Sequence, residues 1–129
     1  MAERKLKVLI VDDANLVRLY YREALELAGF EVEEALNGLE ALEKLLLAPV
    51  DLLIVDVNMP QMDGITFLRA LRRLAEPTGS IPALVTSSEG EAGDIETARV
   101  AGANFYLVKP LSQETLAVCA GLLAGSPYE

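Results

Sequence analysis

Twice in this chain a short apolar run ends abruptly in carboxylates. Leu6-Lys7-Val8-Leu9-Ile10-Val11 runs into Asp12-Asp13, and Asp51-Leu52-Leu53-Ile54-Val55 runs into Asp56. Runs of this length, rich in Val, Ile and Leu and lacking polar alternation, suit strands buried on both faces, the kind found in parallel sheets covered by helices. If the two strands are parallel neighbours, three carboxylates meet in one crevice at the carboxyl edge of the sheet. Packing alone gives no reason to gather them there.

The remaining pattern supplies the helices and strands that such a sheet needs. Leu16, Leu19, Tyr20, Ala24 and Leu27 recur at helical spacing up to Gly29, a suitable residue just past a helix end. Phe30 to Ala35 reads as a second strand, and its acidic Glu31, Glu33 and Glu34 place it at an edge. Asn37-Gly38 opens a helix carrying Leu39, Leu42, Leu45 and Leu46, closed by Pro49. The third strand is Leu52 to Val57, and Gly64 starts a third helix through Ile65, Leu68, Leu71 and Leu74. Glu76 to Ser80 is an exit loop and Ile81 to Thr86 a fourth strand. The fourth helix, about Glu91 to Ala101, is poor in large side chains. Ile95 and Val100 are its expected apolar contacts, and it should be the least firmly docked helix. Asn104 to Val108 is the last strand, and Ser112 caps a closing helix that runs to about Ala124.

Five strands alternating with five helices predict an α/β, doubly wound, five-stranded parallel sheet with right-handed crossovers. In an open sheet of order 2-1-3-4-5, ligands bind beyond the strand carboxyl ends where the order reverses, between strands one and three. Those strands carry Asp12, Asp13 and Asp56. At 129 residues the chain fits one domain, with a core over about 5–124 and no effector domain expected.

Composition excludes several functions. The net charge of −9 with scattered basic residues repels phosphate backbones, so nucleic acid is not an expected partner. Histidine is absent, which removes histidine bases, histidine metal sites and a phosphohistidine role. No run approaches the roughly 20 apolar residues of a membrane span. The start, Met1-Ala2-Glu3-Arg4-Lys5, lacks the apolar segment of a signal peptide, and the single Cys119 reads as a small core side chain. A reducing cytoplasm is the expected location.

Three ionised carboxylates in one crevice need a cation or shifted pKa values, since two such charges about 4 Å apart repel by roughly 4 kcal/mol at an effective dielectric of 20. Asp oxygens, with a main-chain carbonyl, suit hard Mg²⁺ or Mn²⁺ rather than zinc. Such a cation offsets charge on a phosphoryl group arriving at Asp56, while Lys109, ending strand five, supplies a fixed positive charge and Thr86 a hydroxyl. Taken singly, each element has a plainer use. Asp12-Asp13 can cap a helix, Asp56 can serve a turn before Asn58 and Pro60, and Thr86 and Tyr106 can be ordinary strand residues. Lys109 before Pro110 can be a solvated lysine. Their shared position at strand carboxyl ends argues for the joint reading.

These segments resemble the receiver domain of two-component response regulators, and in length the chain is similar to CheY-like single-domain regulators. The resemblance is carried by Val8-Leu9-Ile10-Val11-Asp12-Asp13, Asp51 to Pro60 with Asp63-Gly64, Leu84-Val85-Thr86-Ser87, Ala101-Gly102-Ala103 and Tyr106-Leu107-Val108-Lys109-Pro110. It implies that Asp56 is the phosphoacceptor and that Asp12 and Asp13 organise Mg²⁺, with Asp13, Asp56 and the main-chain carbonyl of Asn58 as ligands. Thr86 and Lys109 would bind phosphoryl oxygens, Lys109-Pro110 would be a cis peptide, and Thr86 with Tyr106 would form the switch. The implied partners are a sensor histidine kinase or phosphotransfer protein and a downstream protein bound at the face of helix four, strand five and helix five. Phe105 and Ala14 depart from common members in side-chain size.

Two rival functions remain at this stage. A phosphohydrolase of the haloacid-dehalogenase type also uses a strand-end Asp, Mg²⁺ and a lysine, but it resembles a pattern with a second Asp two residues on, where this chain has Asn58. A constitutive receiver-like adaptor would not need the full set of Asp12, Asp13, Asp56, Thr86 and Lys109.

Overall fold

The first apolar run forms β1, Lys7–Val11, and the acidic segment forms β2, Glu31–Ala35. They are followed in space by β3, Leu52–Asp56, β4, Ala83–Ser87, and β5, Phe105–Val108. These elements come from a computed structural model that describes residues 5–125. The sequence expectations for the first four residues and for the tail after Gly125 lie outside the described residues. All strand pairs are parallel, and the order is β2-β1-β3-β4-β5. The expected doubly wound sheet is therefore present, with β2 at one edge.

Five helices cross over between and after the strands: α1, Asn15–Leu27; α2, Gly38–Leu47; α3, Gly64–Arg72; α4, Ala92–Ala101; and α5, Gln113–Ala124. Two apolar layers result. On one face Leu9, Val11, Leu53, Val55 and Val85 pack against Phe67, Leu68, Leu71, Ala98 and Ala101 of α3 and α4. On the other Val8, Ile10, Ile54 and Leu84 pack against Tyr21, Ala24 and Leu25 of α1 and Leu116 and Ala120 of α5. Alternation along each strand sends successive side chains to opposite layers, which is why every residue of β3 and β4 is buried.

Side-chain caps set several helix starts. Asn37 accepts from Glu40 N, Asp63 from Thr66 N and Ser112 from Thr115 N. At the end of α4, Gly102 adopts φ 119°, and its left-handed geometry lets Ala103 N reach Ala98 O at 2.9 Å. The acidic β2 is tolerated because its edge carries counter-charges. Lys7 lies 3.5 Å from Glu31 and 3.2 Å from Glu33, while Glu34 pairs with Arg18 and Arg22.

Several sequence expectations need correction. In α1 the buried stripe is Tyr21, Ala24 and Leu25, joined by Arg18, whereas Leu16, Leu19 and Leu27 are exposed. In α2 Ala41 and Leu45 are buried, with Leu39 and Leu46 turned outward. In α4 the docking residues are Ala98 and Ala101, one turn apart, and Ile95 and Val100 are exposed on other faces. Strand β4 runs two residues later at its start than expected because Pro82 has no N–H to give, although its carbonyl accepts from Leu53 N at 2.9 Å. The 76–80 loop contains a 3₁₀ turn, Thr78–Ser80. Cys119 is half-buried against the α1–α5 layer, as expected. Among the described residues no helix is long and apolar enough to cross a membrane.

Candidate functional site

The parallel register sets the carboxyl ends of β1, β3 and β4 side by side. Asp56, the last residue of β3, stands opposite Thr86 of β4, and Val57 N continues the ladder to Thr86 O at 3.0 Å. Asp12 follows β1 directly, and its N–H donates to Ala35 O at 3.1 Å. Ile10, Ile54 and Leu84, each two residues earlier, belong to the layer under α1 and α5. By strand alternation Asp12, Asp56 and Thr86 therefore rise from that same face of the sheet. The chain can turn away tightly after Asp56 because residue 64 is glycine. A Cβ there would lie 2.4 Å from Asp56 O and 3.0 Å from Val57 Cα.

Asp12 is held from several directions. Its Oδ1 accepts from Ala14 N at 2.9 Å, its main-chain carbonyl accepts from Arg18 Nη1 at 2.7 Å, and its Oδ2 faces Lys109 Nζ at 3.2 Å. Lys109 also lies 3.1 Å from Asp56 Oδ1. The lysine is delivered by β5, with its N–H donating to Ser87 O at 2.7 Å and its bond to Pro110 in the expected cis form. Asp13 stands exposed at the rim. Oxygens of Asp12, Asp13 and Asp56 lie within 4.8 Å of one another. Three carboxylates against one ammonium form an all-oxygen set with excess negative charge, which fits a hard divalent cation such as Mg²⁺.

Electrostatics follow from this crowding. Burial raises the Asp56 carboxyl above its ordinary range, and the Asp12 charge adds to it, while Lys109 pulls the other way. Burial would lower Lys109, but the charges of Asp12 and Asp56 outweigh it and the net direction is upward. The lysine is thus a fixed cation at neutral pH. Thr86 is fully buried, and its Oγ1 has no hydrogen-bond partner among the described residues.

Asn58 is exposed two residues beyond Asp56. Tyr106 is half-buried against the α3–α4 layer and donates from its hydroxyl to Glu89 O at 2.5 Å. With Val57, Ile65, Ser87, Asp94 and Thr97 it borders a small cavity of about 90 Å³. On the α1 side a wider groove of about 610 Å³ opens beside Lys109, walled by Leu16, Val17, Tyr20, Tyr21 and Pro110. Sequence reasoning brought Asp12, Asp13, Asp56, Thr86 and Lys109 to one edge, and they meet there. It missed Arg18, which is 6% exposed and also bonds Asn15 and, at 2.8 Å, Glu34. The available signal was an arginine spaced to fall on the same helical face as Tyr21 and Leu25.

Comparison with known proteins gives concordant results. Residues 8–120 match the family described as the response regulator receiver domain. The chain is 38% identical over 122 residues to the two-component response regulator ORR41 of Oryza sativa subsp. japonica, covering 92% of this chain and 94% of that protein. It is 40% identical over 112 residues to the sensor protein EvgS of Escherichia coli (strain K12), covering 87% of this chain but only 9% of that much longer protein. Among solved structures it is similar to the chemotaxis protein CheY4 of Vibrio cholerae, with 36% identity, a TM-score of 0.86, and coverage of 93% of this chain and 99% of that one. A putative response regulator from Chloroflexus aurantiacus aligns at 32% identity with a TM-score of 0.88, covering 94% and 98% of the two chains.

Proposed function

The chain belongs to the response regulator receiver family, and from that membership we propose that it takes a phosphoryl group onto Asp56 from a histidine kinase or phosphotransfer protein. The modification switches its binding to a downstream protein, and the reaction takes place in the cytoplasm. The observation that carries this reading is a single strand-end carboxylate, Asp56, held 3.1 Å from a fixed ammonium and grouped with two further carboxylates.

An Asp56 oxygen attacks the phosphorus of the donor. The O–P bond to Asp56 forms as the bond to the donor's leaving atom breaks, and the product is an acyl phosphate. Lys109 sits where it can exchange its pairing with Asp56 for one with a phosphoryl oxygen, which keeps the incoming charge compensated. The Thr86 hydroxyl, unpartnered and buried beside Asp56, is available to donate to another phosphoryl oxygen. Asp13, Asp56 and the main-chain carbonyl of Asn58 would hold Mg²⁺, with Asp12 supporting them, and the ion when bound offsets both the carboxylate repulsion and the phosphoryl charge. Arg18 fixes the Asp12 backbone and so the height of its carboxylate. The groove along α1, with Leu16 and Tyr20 exposed beside Lys109, suits a protein donor that must bring its phosphorylated side chain to Asp56.

For the output, the reading assigns the face of α4, β5 and α5. Helix α4 buries only Ala98 and Ala101 among its residues, so little packing resists its displacement. Tyr106 is tied to the β4–α4 loop through Glu89 O, so a phosphoryl group drawing Thr86 and this loop inward would change the ring's anchorage. Thr86 and Tyr106 are accordingly the proposed switch residues.

Intact-mass spectrometry after incubation with acetyl phosphate tests the reading. The protein should gain one phosphoryl group in the presence of Mg²⁺, and Asp56→Asn should gain none. Equal modification of both would refute it.

A further inference from the structure

Tyr21, midway along α1, is 3% exposed and lies in the apolar layer with Val8, Ile10, Ile54 and Leu84. The strand positions above that layer on the same face are Asp12, Asp56 and Thr86, so a long ring rising from α1 brings its hydroxyl under the polar edge of the sheet. Burial is the main influence on the phenol and holds its pKa above the ordinary range. The other groups that act on it are Lys109, Thr86, Asp12 and Asp56. Tyr21 also borders the groove beside Lys109. Its hydroxyl and Thr86 Oγ1 are close enough to influence one another, yet no hydrogen bond of normal length and angle joins them. Phenylalanine would satisfy the apolar surroundings equally well, so packing accounts for the ring and leaves the hydroxyl unexplained. Nearby, Thr86 Oγ1 is a buried oxygen lacking a partner among the described residues, a costly arrangement unless another state of the site supplies one.

We propose that the Tyr21 hydroxyl is a positioning group of the phosphoryl site: it donates to Thr86 Oγ1, which donates its own proton to a phosphoryl oxygen on Asp56. This rests on Asp56 being the phosphoacceptor. A hydroxyl can accept one bond while donating another, and the first polarises the second. The relay needs only a small adjustment of two side chains already near one another, made when the phosphoryl oxygen fixes the direction of the Thr86 proton. Tyr21 touches neither the cation nor the reacting atoms.

The test uses beryllofluoride with Mg²⁺, which stands in for the phosphoryl group. Its affinity is measured from amide chemical shifts for wild type, Tyr21→Phe, Thr86→Val and the double variant, with urea unfolding of each protein recorded in its absence. Tyr21→Phe should weaken beryllofluoride binding by about three- to tenfold, the range expected for one hydrogen bond. The double variant should bind as Thr86→Val does, because the relay is already cut. An unchanged affinity in Tyr21→Phe, whether or not its unfolding shifts, overturns the inference while leaving Asp56 in place, as does an equal further loss in the Thr86→Val background. Wild-type protein that binds no beryllofluoride overturns the phosphoacceptor reading and this inference together.

Discussion

Replacing Lys109 by methionine removes a charge and keeps most of the side-chain volume. The ammonium lies 3.1 Å from Asp56 and 3.2 Å from Asp12, and its side chain is 24% exposed. At an effective dielectric of 20, each such pair interacts by about 5 kcal/mol before the cost of desolvating the ammonium. Breaking a buried pair by removing one partner typically costs about 3–5 kcal/mol, because the other charge is left uncompensated. The partial exposure of Lys109 lowers that expectation to about 2–3 kcal/mol for the metal-free protein. A divalent cation among the three carboxylates supplies the missing positive charge. The variant should therefore bind Mg²⁺ more tightly than wild type, by about tenfold or 1.4 kcal/mol, and at saturating Mg²⁺ the loss should shrink by that amount, to about half or less. Urea unfolding of both proteins with and without Mg²⁺ measures all of these quantities. An equal loss under both conditions, or weaker Mg²⁺ binding by the variant, would refute the charge compensation argued here.

Gly64→Ala forces a Cβ against the Asp56 carbonyl and Val57 Cα, both backbone atoms that cannot step aside, so it should cost about 1–3 kcal/mol in urea unfolding and lower the yield of phosphorylated protein; an unchanged midpoint would show that the turn has slack. Burial alone would raise Glu34, but Arg22 and Arg18 outweigh it and its pKa lies below the ordinary value. Its contribution is then present above the unfolded carboxylate range and lost as pH falls through the lower folded value, so Glu34→Gln should be less stable than wild type at neutral pH and converge with it in acid. A gap that persists unchanged at low pH would contradict the pairing. Beryllofluoride should move amide shifts across 89–102 and around Tyr106 as well as at the carboxylates, and shifts confined to the neighbourhood of Asp12, Asp13 and Asp56 would mean that α4 does not respond.

The sheet was legible because Val8 to Val11 and Leu52 to Val55 can be buried on both faces only in a covered parallel sheet, and because the acidic β2 could be nothing but an edge. The gathering of Asp12, Asp13, Asp56, Thr86 and Lys109 at the candidate site was legible for the same reason, since strand ends converge once the order is known. Helix faces were harder to read. Leucine is so frequent in α1 and α2 that several stripes satisfy the helical period, and the leucines at 16, 19, 27, 39 and 46 proved to be exposed. The true stripe in α1 is broken by Arg18, which a sequence reader assigns to solvent and which folding instead satisfies with Asp12 O, Asn15 and Glu34. Tyr21 escaped notice because its ring fits the apolar layer, and only the folded sheet sets that ring on the face from which Thr86 rises. Ala98 and Ala101 were overlooked as the docking residues of α4 because small side chains carry a weak signal, although a close helix approach requires them.

The central claim is that Asp56, and no neighbouring carboxylate, accepts the phosphoryl group. Acyl phosphates are reduced by borohydride to an alcohol, so treatment of the acetyl-phosphate-modified protein followed by peptide sequencing by mass spectrometry marks the modified residue permanently. Homoserine should appear at position 56, with Asp12 and Asp13 unaltered. Homoserine at position 12 or 13, or its absence from position 56 in protein shown to carry the phosphoryl group, would contradict the account.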